Sequence, residues 1–194
     1  MVVKKSKRRK KLVLHNLKKA KVSHSFGTHG GPWIVADFLP YNQSFDATPY
    51  LEEIAFSTSS DIPNARFHIR LFEVNQNGEP GKDLTPAPLV AFAPKGVYKT
   101  ITLDVSQYNL QVPSTGMFIA FEWLVIEENK HAFTYVEKET KKEVNAISFE
   151  PAINSRGFKS GKELTWTYRK GKWSDKGMNG KGVKGTIFQV TLSN

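Results

Sequence analysis

From residue 34 onward the chain is a succession of short apolar or alternating runs separated by Gly, Pro, Asn and Asp, the pattern of strands joined by turns. Strands are predicted near 34–39, 50–58, 66–74, 88–93, 97–105, 117–126, 131–137, 144–150, 164–169 and 186–192. In Arg66-Phe67-His68-Ile69-Arg70-Leu71 the alternation is strict, which turns Phe67, Ile69 and Leu71 inward and the polar residues toward water. Met117 through Val125 is apolar on nearly both faces, as befits a strand in mid-sheet with cover on each side. No stretch keeps a helical apolar period for three turns, and the nearest, 12–22, is interrupted and basic. These features predict an all-β fold: a two-sheet antiparallel β-sandwich, jelly-roll-like, with little helix. An up-and-down barrel is the structural alternative.

The 194 residues suffice for one domain with a core of its own. With no cysteine, disulfide frameworks, thiolate zinc sites and cysteine nucleophiles are excluded. The net charge of +10 would point to an anionic partner if it were spread over the domain. It is not, because residues 1–22 carry ten Lys/Arg and no acid, leaving 18 basic and 18 acidic residues in the rest. Residues 1–25 are therefore read as a basic N-terminal arm or linker and 26–194 as a single β-sandwich domain. The arm could make nonspecific anionic contacts, although no aromatic residue precedes Phe26 to stack on bases. No signal peptide is visible, since Leu12-Val13-Leu14 runs directly into polar and basic residues, and no apolar run is long enough to span a bilayer.

Motifs for catalysis are sparse. There is no G-x-S-x-G, and Gly157-Phe158-Lys159-Ser160-Gly161-Lys162 has phosphate-loop letters at the wrong spacing and reads as a hairpin loop. His24 and His29, in a glycine-containing segment, could reach one metal, but without a cysteine or nearby carboxylate they read as solvated. No metal set and no cofactor motif is assigned. Glu122, beside Trp123 in an apolar strand, is the acid expected to be buried, with a structural ion pair as the simplest role.

Between two predicted strands, Asn75-Gln76-Asn77-Gly78-Glu79-Pro80-Gly81-Lys82-Asp83-Leu84 offers a tight turn at Asn77-Gly78 and a second at Pro80-Gly81. Asn75, Asn77, Glu79 and Asp83 could instead ligate calcium, but the turn explains them without an ion. This segment, followed by Thr102-Leu103-Asp104-Val105 with Tyr108, Val112-Pro113, Gly116 and Glu122-Trp123, resembles a β-sandwich module of bacterial envelope and surface proteins. In Bacteroidetes that module follows a carboxypeptidase-like regulatory domain, whose closing strand and basic linker Met1-Val2-Val3-Lys4 and the lysines after it resemble. The resemblance implies a sandwich fold and a cell-envelope, periplasmic or surface location, and its motifs are turn signals rather than reaction signatures.

The aromatic residues give the positive case for binding. Trp166 and Tyr168 lie two apart on one strand face and Trp173 follows, so the three could form a platform for sugar rings. Alternating Leu164, Trp166 and Tyr168 is equally the pattern of an inward core face. The chain is thus expected to be a non-catalytic interaction module of an envelope or surface protein whose partner is unknown, a glycan or another envelope protein being the candidates. Carbohydrate binding through exposed aromatic residues is the first alternative, and a polysaccharide- or peptide-acting hydrolase is the second.

Overall fold

A computed structural model describes residues 9–15, 17, 20–157, 165–175 and 184–194. The strands are, in order, β1 (Lys11–Leu14), β2 (His24–Thr28), β3 (Ile34–Leu39), β4 (Tyr50–Ser60), β5 (Ala65–Val74), β6 (Pro80–Asp83), β7 (Leu89–Ala93), β8 (Gly96–Asp104), β9 (Met117–Trp123), β10 (Lys130–Val136), β11 (Glu143–Gly157), β12 (Thr165–Arg169), β13 (Lys172–Ser174), β14 (Lys184–Thr186) and β15 (Phe188–Ser193). They form two antiparallel sheets. The first runs β1-β15-β4-β11-β10, with β8 beside β4 and with β2 and β14 beside β11. The second runs β13-β12-β3-β9-β5-β6, with β7 also on β5. The chain repeatedly crosses between the sheets, as in a jelly roll, so the all-β sandwich expected from the strand rhythm is the fold observed. No helix among the described residues is long and apolar enough to cross a membrane.

Alternation builds the core. Phe67, Ile69 and Leu71 of β5 and Met117, Ile119, Phe121 and Trp123 of β9 face the first sheet's Leu51, Ile54, Phe56, Val190 and Leu192. β9 lies between β3 and β5, the mid-sheet place its double-sided apolarity predicts. Trp33 stacks on Trp123 with 4.4 Å between centroids and 6° between planes, and the Trp123 indole N–H donates to the Pro151 carbonyl at 2.9 Å.

Two local expectations change. Residues 11–14, read as part of the arm, instead pair with β15 from Lys11↔Ser193 to Leu14↔Val190, and Leu12 and Leu14 pack against the core. Four apolar-alternating residues next to an unpaired strand edge gain more by pairing than by remaining in water. Pro80-Gly81 is no turn: it opens β6, an edge position where a missing N–H costs nothing. Asn77-Gly78 does turn, with Gly78 at φ 79°, and Asn75 Oδ1 accepts from the N–H groups of Asn77 and Glu79. Lys170 and Gly171, both at positive φ, make a two-residue hairpin turn that pairs β12 with β13. Leu164 and Phe158–Lys162 lie outside the described residues.

Candidate functional site

Thr165 and Thr167 of β12 point into the space between the sheets, so Trp166 and Tyr168 point out of the second sheet. The Lys170-Gly171 turn places Trp173 opposite Tyr168. These three residues rest on Ile34, Ala36, Phe72, Phe118 and Ala120, a small apolar layer separate from the main core. Trp173 meets Tyr168 at 5.2 Å with planes 56° apart and Phe72 at 5.3 Å with planes 79° apart. All three rings are half-buried, and the Trp166 Nε1 atom is buried with no partner among the described residues. The structure therefore brings Trp166, Tyr168 and Trp173 together, but on the outer face rather than in the central core, and packed on one another.

The same outer face carries an ion network. On β9, Glu122 Oε2 accepts from Arg70 Nη1 at 2.9 Å and lies 3.2 Å from His68 Nδ1. Arg70 Nε donates to Asp83 Oδ2 at 2.9 Å. Burial opposes the Asp83 charge, but hydrogen bonds from Thr85 and from Arg70 outweigh it and hold the carboxyl below its ordinary pKa. A cleft of about 300 Å³ opens over His68, Arg70 and Asp83. Arg70 bridges the two carboxylates, and Glu122 has the paired structural role anticipated for it.

A feature that sequence reading passed over lies on the first sheet. Lys130–Val136 pairs with residues 143–149 in register from Lys130↔Phe149 to Val136↔Glu143, and over most of that length this half of β11 has no other described strand beside it. The result is a two-stranded arm projecting from the sandwich. His131, Phe133 and Tyr135 alternate onto one of its faces. The His131 and Phe133 rings are 5.8 Å apart with planes 23° apart, and Phe133 and Tyr135 are 6.1 Å apart with planes 34° apart. Tyr135 is 45% exposed, against half-buried rings on the opposite sheet. A concavity of about 1020 Å³ lies along the hairpin, with Thr134, Asn145, Ile147 and His29 in its wall beside the two rings. The signal was present as His131-x-Phe133-x-Tyr135, but alternation does not reveal that a hairpin extends past its sheet.

The root of this arm is anchored. Asn129, fully buried, accepts from the Arg66 N–H at 2.7 Å and donates to the carbonyls of Arg66 and Leu124. Just beyond it, ligand atoms of Asp61, His131 and Glu150 lie within 4.8 Å of one another. Ser148, across the strand pair from His131, donates to Glu150 Oε1 at 3.0 Å. His24 opens β2 and His29 follows its last residue, so the two are separated by roughly 16 Å of extended chain and cannot share an ion.

No protein-family model matches the chain, and no curated protein matches it in sequence. Among solved structures, that of the clostridial cysteine protease Cwp84 after propeptide cleavage is similar at a TM-score of 0.53 and 12% identity, over 95% of this chain and 40% of that one. The likeness is one of fold. A structure of the cysteine protease and lectin-like domains of Cwp84, a surface layer associated protein of Clostridium difficile, matches at a TM-score of 0.50 and 12% identity, over 84% of this chain and 32% of that one. The chain thus spans less than half the length of the proteins it matches.

Proposed function

We propose that this domain is a non-catalytic recognition module of a bacterial cell-envelope or surface protein, and that its ligand is a carbohydrate taken by the β10–β11 hairpin. The observation that carries this reading is the row His131, Phe133 and Tyr135, whose outermost ring is open to solvent beside a mostly apolar concavity. Ring faces take up the apolar faces of sugars with little demand on geometry. The fold likeness to a surface layer associated protein with a lectin-like domain supports the same setting. The resemblance to the envelope module that follows a carboxypeptidase-like regulatory domain points the same way.

The hydrolase alternative is less well supported. Glu122 and Asp83 are both engaged by Arg70, and the Ser148 hydroxyl donates to Glu150 rather than being presented to a histidine base. The outer-face trio Trp166, Tyr168 and Trp173 is a poorer platform because its rings contact one another and a shared apolar layer. A glycan array probed with the whole chain, followed by incubation of the bound polysaccharides and analysis of their chain length, tests the reading. Binding without shortening is the expected result; cleavage products would make the domain an enzyme, and an array without binders would remove the carbohydrate.

A further inference from the structure

The hairpin root holds three groups whose spacing fits a shared ion better than it fits contacts with each other. His131 Nδ1 is 3.7 Å from Asp61 Oδ2 and 3.8 Å from Glu150 Oε1, both too long for hydrogen bonds. The Nδ1 atom is buried and has no hydrogen-bond partner among the described residues, although a buried ring nitrogen normally finds one. Glu150 is equally conspicuous, with a side chain only 9% exposed and no lysine or arginine paired with it among the described residues. The buried Glu150 carboxylate, which accepts from the Ser148 hydroxyl but has no cationic partner among the described residues, and the His131 nitrogen face each other across a gap that one cation would bridge.

We propose that Asp61, His131 and Glu150 form a binding site for a divalent transition-metal ion of the zinc class. Zinc takes imidazole nitrogen and carboxylate oxygen at roughly 2.0–2.2 Å, which in a tetrahedron sets ligand atoms roughly 3.4 Å apart. The separations from His131 of 3.7 and 3.8 Å are within a few tenths of that figure. An imidazole ligand favours zinc over calcium or magnesium, which prefer oxygen alone. Two ligands are fixed in advance: His131 by the Asn129 anchor at the start of β10, and Glu150 by burial and the Ser148 hydroxyl. Asp61, in the turn after β4 and 73% exposed, is the one free to close over the ion. Such an outer partner as Ser148 orients a ligand carboxylate, and three protein ligands leave a coordination position for water or a ligand oxygen. The site stands independently of the carbohydrate reading.

The test is titration of the EDTA-treated whole chain with zinc and with cobalt, followed by calorimetry and by the visible absorption of bound cobalt, alongside Asp61→Asn and His131→Ala. One equivalent of zinc, a cobalt band, and at least tenfold weaker binding in both variants are expected. Because Asp61 is exposed, Asp61→Asn keeps the fold and decides the matter even where His131→Ala does not fold. Absence of zinc binding by the unmodified chain, equal affinity in Asp61→Asn, or binding of calcium in preference to zinc would overturn the site.

Discussion

Asp37 on the second sheet and Thr186 on the first are joined across the interior: the Thr186 N–H donates to Asp37 Oδ2 at 2.8 Å, and the Thr186 hydroxyl donates to the same oxygen. Thr165 donates to the other carboxylate oxygen. Burial pushes the Asp37 carboxyl up to about 6 from 3.8, against the opposing effect of these hydrogen bonds. The folded state thus holds this proton more tightly than the unfolded chain. Its stabilising contribution is complete below the unfolded pKa near 3.8 and is lost as pH rises through about 6. Denaturation at pH 4 and pH 7.5 should show the wild type losing, relative to Asp37→Asn, about 2 kcal/mol across that interval. An identical pH response in the two proteins would contradict the assignment.

Trp33 is held from both sides. Trp123 stacks beneath it at 4.4 Å and the Arg169 guanidinium lies 3.6 Å from its ring centroid. Urea unfolding should give Trp33→Ala a loss of about 4 kcal/mol, as for a large ring deleted from a packed core. Arg169→Ala, which uncovers one face of the ring, should cost about 1 kcal/mol. Equal losses would mean that the guanidinium, rather than the indole pair, organises this corner.

The N-terminal strand makes its own prediction. Removing residues 1–15 deletes β1, uncovers β15, exposes the seats of Leu12 and Leu14 and breaks the 2.7 Å ion pair of Lys11 with Glu52. Half-buried leucines at this edge contribute about 2 kcal/mol together, which lowers Tm by roughly 4–8 °C in a domain of this size. A truncated chain with unchanged Tm would show that β1 adds nothing to the sheet.

Much of the sandwich was legible because the side-chain period of a strand is written in local sequence. The stretch 34–39 was bounded as it is observed, and the inward set Phe67, Ile69 and Leu71 was identified from alternation alone. Alternation separates two faces without saying which one is inward. At β12 the rings face out and the threonines in, because the buried Asp37 takes its hydroxyl donor from Thr165. β1 escaped notice because its partner lies at the far end of the chain and its lysines resemble a solvated tail. Asp61, His131 and Glu150 are far apart in sequence and share no motif; only the packing of the β4–β5 turn against the hairpin root brings them together. Sequence spacing placed Trp166, Tyr168 and Trp173 together but could not show that their rings pack on one another and on an apolar layer of the second sheet.

Isothermal titration of the tightest-binding array oligosaccharide into the wild type, Tyr135→Ala and Trp173→Ala addresses the recognition role most directly. Loss of a ring stacked on sugar costs about 1.4 kcal/mol, so Tyr135→Ala should bind about tenfold more weakly with an unchanged Tm, while Trp173→Ala keeps wild-type affinity. Full affinity in Tyr135→Ala together with loss in Trp173→Ala would contradict the hairpin as the recognition surface and return that role to the outer face of the second sheet.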